Sequence, residues 1–133
     1  GKLGFPVQAA LAFALGCDLV AVAREPMLAI GCIQAQRCHT GHCPAGVATQ
    51  SKWLMRGLDP TDKAARLANY LVTLRKETRA LAQAAGKAHP ALLTLDDMEI
   101  LDGRFSATSA RALFGYAPGW GLPPEADRAT LAG

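Results

Sequence analysis

Three cysteines fall within twelve residues, Cys32, Cys38 and Cys43, in a stretch broken by Gly31, Gly41, Pro44 and Gly46. Nothing else in the chain limits its fold so strongly. Five residues separate the first two thiols and four separate the last two, so one short loop can wrap a compact inorganic core from three sides. A cuboidal cluster of three irons takes one outside ligand per iron, which three thiolates complete; a four-iron cluster asks for a fourth, and this loop has no fourth cysteine. The trailing Cys43-Pro44 is also a feature of ferredoxin-type loops. Zinc held by the three cysteines with His39 or His42 is one alternative, although zinc loops usually space their cysteines two to four residues apart. Buried structural cysteines are another. Spacing alone favours iron–sulfur and leaves both alternatives open.

The fourth cysteine, Cys17, stands beside an apolar run and reads as a small packed hydrophobe. All four lie in the first 43 of 133 residues, too unevenly for a secreted disulfide scaffold, and pairing within the loop would leave an odd thiol. Charge is as uneven. Only Lys2, Asp18, Arg24, Glu25 and Arg37 are charged among the first 50 residues. A buried, cysteine-bearing part therefore precedes a solvated one. The net charge of +3 is too mild and dispersed for a nucleic-acid partner. The longest apolar run, Phe5 to Ala23, is interrupted by Gln8, Gly16 and Asp18 and does not read as a membrane span. The chain reads as cytoplasmic, and its abrupt start at Gly1 suggests the C-terminal piece of something larger.

Pro6 suits a first helical position, and the apolar stretch to Leu15 followed by Gly16 predicts a helix with a left-handed cap. Asp18 to Ala23 is continuously apolar after its first residue, the pattern of a strand covered on both faces. Helix then buried strand is the αβ step of a parallel sheet or barrel. Residues 24–51 read as mostly irregular. Asp59-Pro60-Thr61-Asp62 starts a helix that runs to Ala85 and stops at Gly86, with Leu67, Leu71, Leu74, Leu81 and Ala85 as its apolar stripe. Two short helices, Thr94–Leu101 and Ser106–Phe114, precede a loose Gly- and Pro-rich tail.

The stretch from Gly31-Cys32-Ile33 through Cys38-His39 to Cys43-Pro44-Ala45-Gly46-Val47-Ala48-Thr49-Gln50 closely resembles the signature of the glutamate synthase family. There it is the [3Fe-4S] loop of an FMN-dependent synthase domain, so the resemblance implies Cys32, Cys38 and Cys43 as cluster ligands. It also implies an α/β fold: the C-terminal portion of a (β/α)8 TIM barrel over residues 1–30, the iron–sulfur loop over 31–51, and an α-helical C-terminal extension over 52–133. Asp18 to Ala23 would be strand eight. Gly1-Lys2-Leu3-Gly4 is similar to the end of the glycine turn after strand seven. Barrels commonly bind phosphate with the loops after strands seven and eight, which places Gly1, Lys2, Ala23 and Arg24 near the FMN phosphate. Backbone N–H groups around Thr40 to Gly46, with Arg37, His39 and His42, would tune the cluster.

The likeness fades after Gln50, and the helical remainder resembles the short FMN-binding glutamate-synthase-domain proteins. The implied reaction is reductive amination of 2-oxoglutarate to glutamate with glutamine-derived ammonia. Electrons would come from an NAD(P)H-dependent subunit or ferredoxin. A different class of function, a small electron-transfer or metal-binding module (or an inactive fragment) docking on another subunit, is the alternative.

Overall fold

The computed structural model describes residues 2–101, 103–104 and 106–132, so the assignment of Gly1 to a cofactor site lies outside the described residues. Helix α1 spans Pro6–Ala14, with the proline at its start. It ends in a double bond pattern: Gly16 N–H donates to Phe13 O (2.8 Å) and Cys17 N–H to Ala12 O (3.1 Å), with Gly16 left-handed at φ 92°. A side chain at Gly16 would also strike Gly121, since a Cβ there would sit 2.8 Å from its Cα. The C-terminal arm thus crosses the end of α1 backbone to backbone.

Helix α2 covers Arg24–Ala29, inside the stretch that sequence read as irregular. Helix α3, Pro60–Ala84, starts as the sequence indicates: Asp59 Oδ1 accepts from Thr61 N–H at 3.0 Å, and Pro60 follows. Its end repeats the α1 pattern, with Gly86 N–H donating to Gln83 O and Lys87 N–H to Ala82 O, both at 2.9 Å. Among the described residues no helix is long and apolar enough to cross a membrane.

The core is small-residue packing. Ala10 and Ala14 of α1 meet Ala82 of α3, and Leu93, Leu95 and Ala110 close around them. Alanines let the two helix backbones approach closely, so the buried line on α3 passes through Thr78 and Ala82 rather than through leucines. The expected stripe is corrected accordingly. Leu71 and Leu81 are 44% and 37% exposed, while Leu67, Leu74 and Ala85 are half-buried. Tyr116 ties the C-terminal arm to α1 by donating its hydroxyl to Leu15 O at 3.2 Å.

Three further expectations are replaced. Thr94–Leu101 is not a helix: the Thr94 N–H and hydroxyl both bond Asp97 Oδ2 (2.8 and 3.0 Å), which closes one tight turn over Leu95–Asp97. The chain then leaves as strand β1, Glu99–Leu101, paired antiparallel with β2, Ala107–Ser109. Helix α4 is therefore only Ala110–Phe114, and it starts after β2 instead of at Ser106. The tail holds helix α5, Glu125–Ala132.

Asp18–Ala23, expected as a strand, has no ladder partner among the described residues and no strand assignment. It keeps a strand's alternation, with Val20 and Val22 half-buried while Leu19, Ala21 and Ala23 are exposed. A strand exists only through its neighbours' hydrogen bonds, and among the described residues the sheet, β1 with β2, lies at the other end of the chain.

Two outcomes follow from this packing. Leu93 is 2% exposed, so Leu93→Ala is expected to cost about 2–5 kcal/mol in urea unfolding, whereas Leu71→Ala costs under about 1 kcal/mol. Tyr70 donates its hydroxyl to Gly4 O at 2.8 Å, and burial, aided by the nearby charge of Glu25, raises its pKa above the ordinary value of 10.0. Stability from that proton is fully present below pH 10 and is lost as pH rises through the raised folded-state value, because the unfolded chain ionises first. Alkaline denaturation of Tyr70→Phe should show a shallower loss of stability in that window.

Candidate functional site

The cysteine loop begins from a fixed point. Helix α2 ends with Gly31 N–H donating to Leu28 O (3.0 Å) and Cys32 N–H to Met27 O (2.9 Å), so the first cysteine is itself part of the helix cap. Beyond it, Gln34 and Gln36 both adopt φ 56°, a left-handed conformation that costs a residue with a side chain about 1–2 kcal/mol. Two such residues, on either side of Ala35, bend the loop tightly between Cys32 and Cys38. Gln34 N–H also donates to Cys32 Sγ at 3.4 Å.

From Cys38 to Thr40 the chain makes a single tight turn. Thr40 braces it: its hydroxyl donates to Arg37 O (2.8 Å) and accepts from His42 N–H (3.2 Å). Cys43 then turns inward and is 7% exposed. The backbone amide of Ala48, with further help from those of Ala45, Val47 and Gly46, holds its thiol below the usual thiol range, against the opposing effect of burial. Gly46 packs against the turn at Leu54–Gly57, where a Cβ would meet Leu54 O at 2.7 Å, and this contact seats the amide cradle.

A cavity of about 710 Å³ opens beside the loop, and its walls include Lys2, Ala23, Arg24, Glu25, Cys32 and Cys38. Every described residue that sequence assigned to the flavin phosphate thus lines the same space as two of the three cysteines. The volume is in the range of small-molecule and cofactor sites, and Lys2 and Arg24 bring two positive charges to its wall. Cys43 does not line this cavity. Among the described residues no three His, Cys, Asp or Glu side chains form a group that could hold a metal ion. The loop brings the thiols to one segment, and two of them to one cavity, but not all three to one point.

The donor set nevertheless suits an anionic sulfur cluster. All four cysteines are free, and N–H groups are aimed at Cys32 and Cys43, as thiolate ligands require. His39 and His42 are exposed, and His89 is used elsewhere, its Nδ1 accepting from Ala91 N–H at 3.2 Å. Sequence reasoning missed Glu25, Gln34, Gln36 and Tyr70. Glu25 could have been noticed as a rare charge in the charge-poor part of the chain; Tyr70 carries no local signal.

Residues 1–88 match the conserved region in glutamate synthase. The chain belongs to the glutamate synthase family. It is 47% identical over 90 residues to a glutamate synthase large subunit-like protein of Bacillus subtilis, an alignment covering 68% of this chain and 17% of that protein. A glutamate synthase large subunit-like protein of Rhizobium meliloti is 35% identical over 139 residues, covering 91% of this chain and 31% of the relative. An archaeal glutamate synthase (NADPH) of Methanocaldococcus jannaschii is 43% identical over 75 residues, or 56% of this chain and 15% of the relative. The chain therefore spans less than a third of the length of these relatives. No solved structure matches it. The family match continues past Gln50 and covers α3.

Differential exposure makes the site testable without any cofactor. In cluster-free folded protein, iodoacetamide is expected to modify the exposed Cys17 and Cys38 first and the buried Cys43 last, as read by peptide mass spectrometry.

Proposed function

We propose that this chain supplies the phosphate side of an FMN site and the [3Fe-4S] loop of a cytoplasmic glutamate synthase-type oxidoreductase. The reaction is reductive amination of 2-oxoglutarate to glutamate with glutamine-derived ammonia. The observation that carries this reading is the shared cavity: Lys2, Ala23 and Arg24 line it together with Cys32 and Cys38. Family membership over residues 1–88 supports it. So does bare apolar surface on the barrel-like segment, where Leu19 is 89% exposed and Val7 65% exposed, as expected of elements that neighbouring (β/α)8 strands and helices would cover.

When bound, the cofactors would supply electron transfer from a donor protein, an NAD(P)H-dependent subunit or ferredoxin, to the substrate. The chain's own residues bind and tune. Cys32, Cys38 and Cys43 would hold the cluster as thiolates. The amides of residues 45–48 offset the negative charge at Cys43, and Gln34 N–H does so at Cys32. Lys2 and Arg24 attract the flavin phosphate through charge-assisted hydrogen bonds. Cys17, at the far end of α1, takes no part.

The full-length protein, expressed anaerobically, should hold about three irons per chain with a three-iron EPR signal when oxidised. Cys38→Ser should remove the cluster and Cys17→Ala should leave iron unchanged. Stoichiometric zinc with no acid-labile sulfide would sink the reading. For the flavin, Arg24→Ala is expected to weaken FMN binding by roughly 10- to 100-fold, the worth of a hydrogen bond to a charged group. Arg56→Ala should change it little, because Arg56 stacks on Trp53 at 4.9 Å and does not line the cavity. An iron–sulfur protein that binds no flavin would instead favour a small electron-transfer module.

A further inference from the structure

Three segments distant in sequence meet beneath the wall of this cavity. Lys2 lines it with φ 65°, a left-handed conformation that a lysine keeps only when its surroundings over-determine it. Two residues on, Gly4 is buried, and its carbonyl accepts the Tyr70 hydroxyl of α3 at 2.8 Å. Gly4 is also pressed against Glu25: a Cβ at that position would lie 2.6 Å from the Glu25 Cγ, Cδ and Oε2 atoms. Glu25 is itself 7% exposed and is the carboxylate among the described residues lining the cavity.

We propose that Tyr70 and Gly4 form a lock that sets the Lys2 backbone and seats the Glu25 carboxylate, making Tyr70 a positioning residue for the phosphate-bearing ligand of the cavity. The inference rests on reading that cavity as the FMN site. Its logic is electrostatic as well as steric. A phosphate dianion needs Lys2 turned toward it and Glu25 kept back, since a loosened carboxylate in the same space would repel the ligand. Both conditions depend on where Gly4 sits. Gly4 is fixed from one side by a hydroxyl that helix α3 delivers and from the other by the absence of its own side chain. The helix that packs the core would thereby also set the cavity's charge geometry.

The test uses the full-length protein, stripped of flavin and titrated with FMN by fluorescence quenching, with melting temperature and iron content measured alongside. Tyr70→Phe removes only the hydroxyl and is expected to raise the FMN dissociation constant about 5-fold, the worth of one neutral hydrogen bond. Gly4→Ala, whose methyl must displace Glu25, should weaken FMN binding at least as much. Leu74→Ala, half-buried on the same helix, is expected to lower the melting temperature while leaving FMN affinity and iron content unchanged. If Leu74→Ala weakens FMN binding as much as Tyr70→Phe, the effect is general destabilisation and the lock is overturned. If Lys2→Ala weakens binding but Tyr70→Phe and Gly4→Ala do not, the lock is wrong and the flavin assignment stands. If Lys2→Ala and Arg24→Ala also leave FMN affinity unchanged, both fail together.

Discussion

The contact between α1 and α3 through Ala10, Ala14 and Ala82 underlies the rest of the structure. Side chains this small let two helix backbones come close, and close approach over a long helix such as α3 gives a rigid reference for everything attached to it. The segment before α1 is tied to the same reference, since Tyr70 reaches from α3 to the Gly4 carbonyl. The C-terminal arm is tied to the other end of α1 by Tyr116 and by the Gly16–Gly121 approach. Replacing those alanines with larger residues would push the helices apart and loosen both attachments together.

On this base the cysteine loop is organised by backbone chemistry more than by side chains. The cap of α2 fixes Cys32, two left-handed glutamines turn the chain, and a row of amides surrounds Cys43. Backbone N–H groups are well suited to sulfur anions: they supply partial positive charge without adding a titratable group. The strain at Gln34 and Gln36 belongs to the same arrangement. Strained conformations gather where a loop must present ligands in one direction, and these two lie between the first two cysteines.

Much of this was readable from local signals. Asp59-Pro60 and Gly86 bounded α3 to within a residue, and Pro6 with Gly16 bounded α1, because caps and turns depend on residues a few positions apart. The cysteine spacing and the residues after Cys43 identified the family. The failures share a cause. At Thr94–Leu101 the Asp97 carboxylate caps the first turn as it would cap a helix, but the chain leaves after that turn as strand β1, which needed β2 to exist. The leucine stripe of α3 misled because burial went to the positions facing alanines, whichever residues those were.

From its own order of residues, this chain determined where its long helices start and stop, which thiols share a loop and which family it belongs to. Those properties rest on hydrogen bonds and spacings within a few residues. The meeting of Gly4, Glu25 and Tyr70, and the cavity between Lys2 and the pair Cys32 and Cys38, arose only on folding. Each depends on partners far apart in the chain. Tyr70 and Gly4 are 66 residues apart, and no local pattern can say which carbonyl a mid-helix hydroxyl will reach once the alanine faces have closed.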